Sequence, residues 1–447
     1  MAIRWLLERM AEWKNETAFA CPERVVSYQE LLEGVDYWKE ELSQRHFQGG
    51  EVVALLGDYT PGSVSLMLAL IDLGAILVPL TEAVRVHCEE FFNVAEVEAV
   101  ISFDSSGKWI WRARNTRVTN ALTLRLRNLG ESGLVVFTSG STGQSKAVLH
   151  SFTRLLEKFR VQRQKMVTLT FLLLDHLGGI NTLFSALSSG GTVVSAQNRD
   201  PDAVCEAIER YGVELLPTSP TFLNLLLVSE AYKQYDLSSL KLITYGTEIM
   251  PQNTLQRISE LFPNVKLQQT YGLSELGVLR SKSRGPGSLW VKVGGEEFET
   301  KIVDSTLWVR AKSAMLGYLN APSPFDEDGW MNTGDTVEVD GEYIRILGRQ
   351  SEIINVGGQK VHPAEVENVL MQMPGVADVV VYGDSNALLT TVAAKIRILV
   401  PESLDGLKRR VRSFCRDRLA PYKIPVRINI AHDDLFSFRY KKTRMQN

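Results

Sequence analysis

Apolar residues occur along the chain in short bursts with two different periods. Leu6, Leu7 and Met10 share a face at helical spacing, whereas Val52-Val53-Ala54-Leu55-Leu56 is a continuous run of strand length. Residues 63–73 read as a helix, and residues 75–80 as another buried strand, stopped by Pro79. The alternation resumes with a helix at 204–211, a strand at 214–216, a helix at 221–229 and a strand at 240–244. Such alternation predicts α/β layers rather than an all-helical or all-β fold. Between residues 287 and 310 the texture changes to short strands with turn signals at Gly294-Gly295 and Asp304-Ser305. Asp340-Gly341 is a hairpin signal. After Arg349 comes a more charged tail, with strands at 376–382 and 391–399 and a helix at 404–418. The pattern predicts a large N-terminal domain, 1–348, with α/β sheets and a β-rich subdomain. A small α+β C-terminal domain, 349–447, follows it.

Composition narrows the functional classes. A chain of 447 residues exceeds one ordinary core. Its 49 Lys+Arg against 52 Asp+Glu leave a net charge of -3, which excludes a general nucleic-acid or anionic-membrane binder. Cys21, Cys88, Cys205 and Cys415 lie far apart and form no metal-binding pattern, as expected of thiols in a reducing compartment. The N-terminus lacks a secretory apolar core, and the strongest apolar run, 64–80, is broken by Asp72 and Gly74. No transmembrane segment and a cytoplasmic location are expected.

The first chemical signal follows the strand candidate Leu134-Val135-Val136-Phe137. Thr138, Ser139, Gly140, Ser141, Thr142 and Gly143 lead through Gln144 and Ser145 to Lys146. Two glycines let successive backbone N–H groups face one way, four hydroxyls add donors and the lysine adds charge. Such a loop can wrap a polyphosphate. A flexible Ser/Gly loop is the plainer alternative. It is not a Walker A loop, because Ser145 precedes Lys146 where that motif has glycine.

This loop resembles the phosphate loop of the adenylate-forming superfamily, which includes acyl-CoA synthetases, luciferases and peptide-synthetase adenylation domains. The family usually has proline at the Ser145 position and glycine at the Ala147 position. Further blocks follow in the family's order, from Val26-Ser-Tyr-Gln-Glu-Leu31 to the C-terminus. Gln269-Thr-Tyr-Gly-Leu-Ser-Glu275 resembles the Tyr-Gly-x-Thr-Glu block. The match implies Tyr271 against adenine, Ser274 at the α-phosphate and Glu275 on Mg²⁺, a cation that takes oxygen ligands. Taken alone, the same residues read as a turn into a helix with Ser274 as N-cap. Trp330-Met-Asn-Thr-Gly-Asp335, preceded by Leu316-Gly-Tyr-Leu-Asn320, is similar to the Thr-Gly-Asp block, which gives Asp335 the ribose hydroxyls.

The stretch from Leu347 to Glu367 resembles the family's hinge and acceptor loop. It implies Arg349 at the ribose, a hinge near Ser351 that makes the C-terminal domain mobile, and Gly357-Gly358 beside a pantetheine arm. The family ends with a lysine three residues before an arginine, usually after glycine; the resemblance implies Lys441 as the catalytic cation, with Tyr440 in the glycine position and Lys442 as its substitute. His176, in Asp175-His-Leu-Gly-Gly179, resembles the pocket histidine of acyl-CoA synthetases, and Gly246 the glycine beside the acyl group and adenine. Amino-acid-activating relatives have aspartate at the histidine position, so a substrate without an α-amino group is expected.

The resemblance therefore implies ATP, Mg²⁺ and a small-molecule carboxylic acid as the adenylation partners. The thiol acceptor would be coenzyme A or a phosphopantetheine carrier protein. Amide formation is an alternative, as is a non-catalytic nucleotide-binding scaffold of the same fold, for which Ser145, Ser351 and Asn355 are the supporting departures.

Overall fold

A computed structural model describes residues 2–103, 108–138, 145–295, 297–385 and 390–443. Among them, two seven-stranded sheets carry most of the chain before residue 319. The first runs Lys266–Gln269, Leu242–Tyr245, Leu215–Thr218, Val167–Leu169, Thr192–Val194, Thr17–Ala20 and Val25–Ser27, parallel up to its last pair. The second contains Val52–Leu56 and Ile76–Leu80, both buried, next to Gly133–Thr138 and Lys146–Ser151. One apolar cluster joins Phe19 and Val193 of the first sheet to Val53 and Leu77 of the second. Helices Pro61–Asp72 and Leu177–Leu187 fill that layer. Pro61–Asp72 starts with a reciprocal Thr60–Ser63 cap and Pro61 in its first turn, which satisfies donors that would otherwise be buried unpaired.

A six-stranded antiparallel sheet forms the β-rich part. Its hairpin turn at Asp304 and Ser305 has φ 49 and 58, and Gly341 has φ 60. These left-handed values twist the turns in the sense that strand pairs require. Beyond it, Val376–Ser385, Thr390–Ile398 and Arg427–Ile430 form a three-stranded sheet covered by Pro363–Leu370 and Leu404–Cys415. Val379, Val381, Val366, Leu407 and Val411 share an apolar cluster of their own. Direct bonds to the larger body are polar: Asn224 Nδ2 donates to the Ala377 carbonyl at 2.8 Å, and Asn253 Nδ2 to Met371 at 3.1 Å.

Most of the expected elements are present within a few residues of their expected bounds. The last helix is shorter than expected, Leu404–Cys415. Tyr271-Gly-Leu-Ser-Glu275 does not lead into a helix. It forms the hairpin Tyr271–Leu273/Gly277–Leu279, so Ser274 caps nothing and sits at the turn. No helix among the described residues is long and apolar enough to cross a membrane. All four cysteines are free and buried.

Candidate active site

A cavity of about 1230 Å³ opens where the sheets and the C-terminal part meet. The parallel strands point their C-terminal ends at it: Thr218, Gly246 and Thr270 all line its wall. This is the place where open α/β sheets bind ligands, because the chain leaves the sheet there and exposes loops. A Cβ on Gly246 would lie 2.4 Å from Thr270 Oγ1 and 2.8 Å from the Thr270 carbonyl. Only glycine lets these two strand ends approach so closely.

Separate stretches of sequence deliver the expected residues. Thr138 ends one strand and Lys146 begins the next, and both line the cavity. Ser139, Gly140, Ser141, Thr142 and Gly143 lie outside the described residues. Lys146 Nζ stands 5.0 Å from the centre of the Tyr318 ring, whose hydroxyl donates to Glu275 Oε1 at 2.6 Å. Asn320 ties the loop's exit strand: its Oδ1 accepts from the Ala147 N–H and its Nδ2 donates to the Ser145 carbonyl, both at 2.9 Å. Ser274 and Glu275 reach the cavity from the hairpin turn. His150 Nε2 donates to the Ser274 carbonyl at 2.6 Å. Burial pushes the pKa of His150 down to about 4, so the ring is a neutral, fixed support.

Asp335 is buried just behind Thr333 and Gly334, which line the wall. The Tyr271 hydroxyl donates to its Oδ2 at 2.6 Å, and Arg349 Nε lies 3.4 Å from its Oδ1. Burial raises the Asp335 pKa, while Arg349 and Tyr271 oppose that rise. Tyr271 thus spends its hydroxyl on the carboxylate, and Arg349 reaches the cavity itself.

The C-terminal segment settles which of two adjacent lysines faces the site. Lys441 lines the cavity. Burial, then Arg439, pushes its pKa down to about 8, with Glu248 opposing and Arg349 adding. Lys442 turns the other way, lying 3.3 Å from Asp378 and 3.7 Å from Glu367 and donating to the Val379 carbonyl at 2.7 Å. Tyr440 has φ 51, which explains a glycine preference at this position, since an L side chain there costs roughly 1–2 kcal/mol. Aromatic contacts to Phe171, Phe222 and Phe436, with ring centroids 5.2, 5.8 and 5.4 Å away, hold Tyr440 in place. Ser219 Oγ also donates to its carbonyl at 2.8 Å.

His176 caps the helix Leu177–Leu187, its Nδ1 accepting from the Gly178 N–H at 3.0 Å. Burial, then Lys441 and Arg439, lowers its pKa well below the usual range. The neutral ring therefore carries its proton on Nε2, a donor on the cavity wall. Gly357 and Gly358, at φ 56 and 88, form the exposed tip of the hairpin Ile354–Val356/Gln359–Val361 and do not line the cavity.

Residues 6–319 match the family described as AMP-binding enzyme, and residues 365–441 match the AMP-binding enzyme C-terminal domain. The chain belongs to the AMP-binding enzyme family. This AMP-binding enzyme is 28% identical over 478 residues to an indoleacetate–CoA ligase of Aromatoleum aromaticum, covering 94% of this chain and 92% of the relative. It is 26% identical over 455 residues to a 2-succinylbenzoate–CoA ligase of Bacillus cereus, with the same coverage of both chains. In fold it is similar to an anthranilate CoA ligase in complex with anthranoyl-AMP, with a TM-score of 0.82, 20% identity, and coverage of 98% of this chain and 95% of that one.

Several residues of this AMP-binding enzyme's site escaped the sequence reading. Tyr318 and Asn320 sit in the Leu316–Asn320 block, whose sequence gives neither a role, and His150 lies four residues past Lys146. Arg439, which lines the cavity and pairs with Asp175, has no sequence signal at all.

Proposed function

We propose that this enzyme activates a carboxylic acid with ATP and passes the acyl group to a thiol, coenzyme A being the favoured acceptor. The supporting observation is the convergence of Lys146, Glu275, Arg349 and Lys441 on one cavity, with Asp335 immediately behind its wall. The donor set fits a nucleotide: cations for the phosphates, a carboxylate for the ribose hydroxyls and room for a second substrate. Glu275 offers one carboxylate to a Mg²⁺ that would take its remaining ligands from phosphates and water and neutralise their charge.

In the first step a carboxylate oxygen of the acid attacks the α-phosphorus. The bond from that phosphorus to the bridging oxygen breaks, and pyrophosphate leaves with the electron pair. Lys441 neutralises the charge that gathers on the attacking and non-bridging oxygens, and Lys146 holds the departing phosphates. His176 donates from Nε2 to the carboxyl group and orients it. Ser274 donates to the α-phosphate. No protein nucleophile is needed, so positioning and charge carry the rate.

For the second step the C-terminal domain, 349–447, turns about Ser351. Lys441 withdraws, and the Gly357-Gly358 tip enters the space it leaves. The thiol sulfur attacks the acyl carbon, AMP leaves, and the thiol proton passes to solvent. The bonds between the two bodies, such as those of Asn224 and Asn253, are polar, which suits an interface that must break and reform. An enzyme drawing on ATP and coenzyme A works where both are held, which favours the cytoplasm.

Acid-dependent exchange of labelled pyrophosphate into ATP across a carboxylate library tests the first step. Mass spectrometry of products formed with coenzyme A, with a carrier protein, with an amine and with none of these tests the acceptor. ATP binding without exchange for any acid would instead identify a nucleotide-binding scaffold.

A further inference from the structure

The cavity does not stop at the strand ends. Leu215, Leu242 and Lys266, at the starts of three parallel strands, line the same space as Thr218, Gly246 and Thr270 at their ends. From Lys266 to Thr270 is four strand steps, or roughly 13 Å at the rise of an extended chain. Lys266 marks the far end, and four more cations line the cavity: Lys158, Arg163, Arg280 and Lys282. Glu275, at the nucleotide end, is the only acidic residue on the cavity wall among the described residues.

At the nucleotide end Arg349 faces Asp335 and Arg439 faces Asp175, while Lys146 and Lys441, like these five, stand without an ion pair among the described residues. Among the described residues, none of the five forms an ion pair. Lys158 is half-buried; two of its N–H bonds go to Asn181 Oδ1 and the Val278 carbonyl, which leaves the third. Burial pushes its pKa down to about 8, with Glu297 opposing and Arg163 and Arg280 adding. Arg163 is likewise lowered by burial and by Arg280, against Glu297. Like charges held close together without enough counter-charge cost stability, and an anion placed among them removes that cost.

We propose that the acid activated by this enzyme carries a second anionic group, such as a carboxylate, remote from the reacting one and seated among Lys158, Arg163 and Arg280. The inference rests on the adenylating reading and narrows its substrate class. The reacting carboxylate lies by His176 and Lys441, the carbon skeleton runs along the strands past Leu215 and Leu242, and the remote anion meets the cations.

The test is pyrophosphate exchange without any thiol, so that the phosphates of coenzyme A cannot be the occupant. Matched acids are compared: octanoate with suberate, and 3-phenylpropanoate with 3-(4-carboxyphenyl)propanoate. The doubly anionic member of each pair is expected to have a kcat/KM about tenfold to a hundredfold higher, the range that charge-assisted hydrogen bonds supply. In the Arg163→Met/Arg280→Met double variant this ratio falls towards one, whereas a merely structural role would lower both members together. Exchange with the monoacids alone overturns the inference and leaves the adenylating reading standing. An unchanged ratio in the variant overturns it, and a raised KM for coenzyme A in a separate thioester-forming assay would then assign the cations to that molecule's phosphates. Exchange with neither series sinks the adenylating reading and the inference with it.

Discussion

Arg439 Nη2 lies 3.0 Å from Asp175 Oδ2, and the pair joins segments 264 residues apart. Asp175 also accepts from Thr81 Oγ1 at 2.9 Å. Arg439 precedes Lys441 by two residues and Asp175 precedes His176 by one. The ion pair therefore fastens the segment that carries Lys441 to the wall that holds His176. A buried carboxylate with one charged partner makes a strong but conditional clamp, because breaking it leaves a charge unpaired.

Replacing Asp175 by Asn keeps the shape and the Thr81 contact but removes the charge. Adenylation is expected to slow by about tenfold to a hundredfold, the scale on which a small displacement of a positioned group acts. Thioester formation from supplied acyl-adenylate stays close to wild type. Rapid-quench measurement of each half-reaction separates the two, and equal slowing of both would refute a positioning role.

The two adjacent lysines should fail in different ways. Lys441→Ala is expected to lower acid-dependent pyrophosphate exchange by about a hundredfold to a thousandfold while the fold persists. Lys442→Ala removes the partner of Glu367 and Asp378 and is expected to cost about 3–5 kcal/mol of stability. Urea unfolding together with exchange assays would show whether the defects are assigned correctly.

With a pKa near 8, Lys441 in the free enzyme loses its proton as pH rises through that value. The phosphates of ATP favour the ammonium form, so binding raises the pKa and takes up a proton. At pH 8 the uptake should be about half a proton per ATP. Calorimetry in two buffers of different ionisation enthalpy reads this number, and Lys441→Met should abolish it. No uptake by the wild-type protein would remove Lys441 from the phosphate site.

Tyr271→Phe deletes one hydrogen bond to a buried carboxylate and little volume. The loss should weaken ATP binding by about 1.5–3 kcal/mol, since Asp335 is then less well held for the ribose. A changed Kd for ATP with an unchanged Kd for inorganic pyrophosphate would support that assignment.

A proline at Ser351 limits rotation where the C-terminal domain is proposed to turn. Ser351→Pro is expected to slow thioester formation about tenfold or more and to alter adenylation little, as hinge changes act on the conformational step. Single-turnover assays of each half-reaction are decisive.

The blocks whose residues lie close in sequence were legible before the fold was known. The resemblance at the C-terminus points to Lys441, the structure turns that lysine to the cavity, and Tyr440 before it has φ 51, a value that favours glycine. What spacing could not tell was how a tyrosine survives in that conformation. Phe171 and Phe222 hold it from more than 200 residues away. Local pattern also misread Tyr271 to Glu275 as entering a helix. Gly272 pairs instead with Val278 in a hairpin, and a Cβ on Gly272 would meet the Gly277 carbonyl at 2.8 Å.

By itself the sequence determined the α/β layering, the order of the family's blocks and the identity of the charged groups within them. Each of these follows from hydrophobic period or from residue spacing along the chain. The tertiary structure alone decided which charges meet. Arg439 with Asp175, Tyr271 with Asp335, and five cations that line the cavity without ion pairs among the described residues are brought together by strand order and sheet packing. Electrostatic interaction depends on distance through space and on burial, and neither is encoded at any single position of the chain.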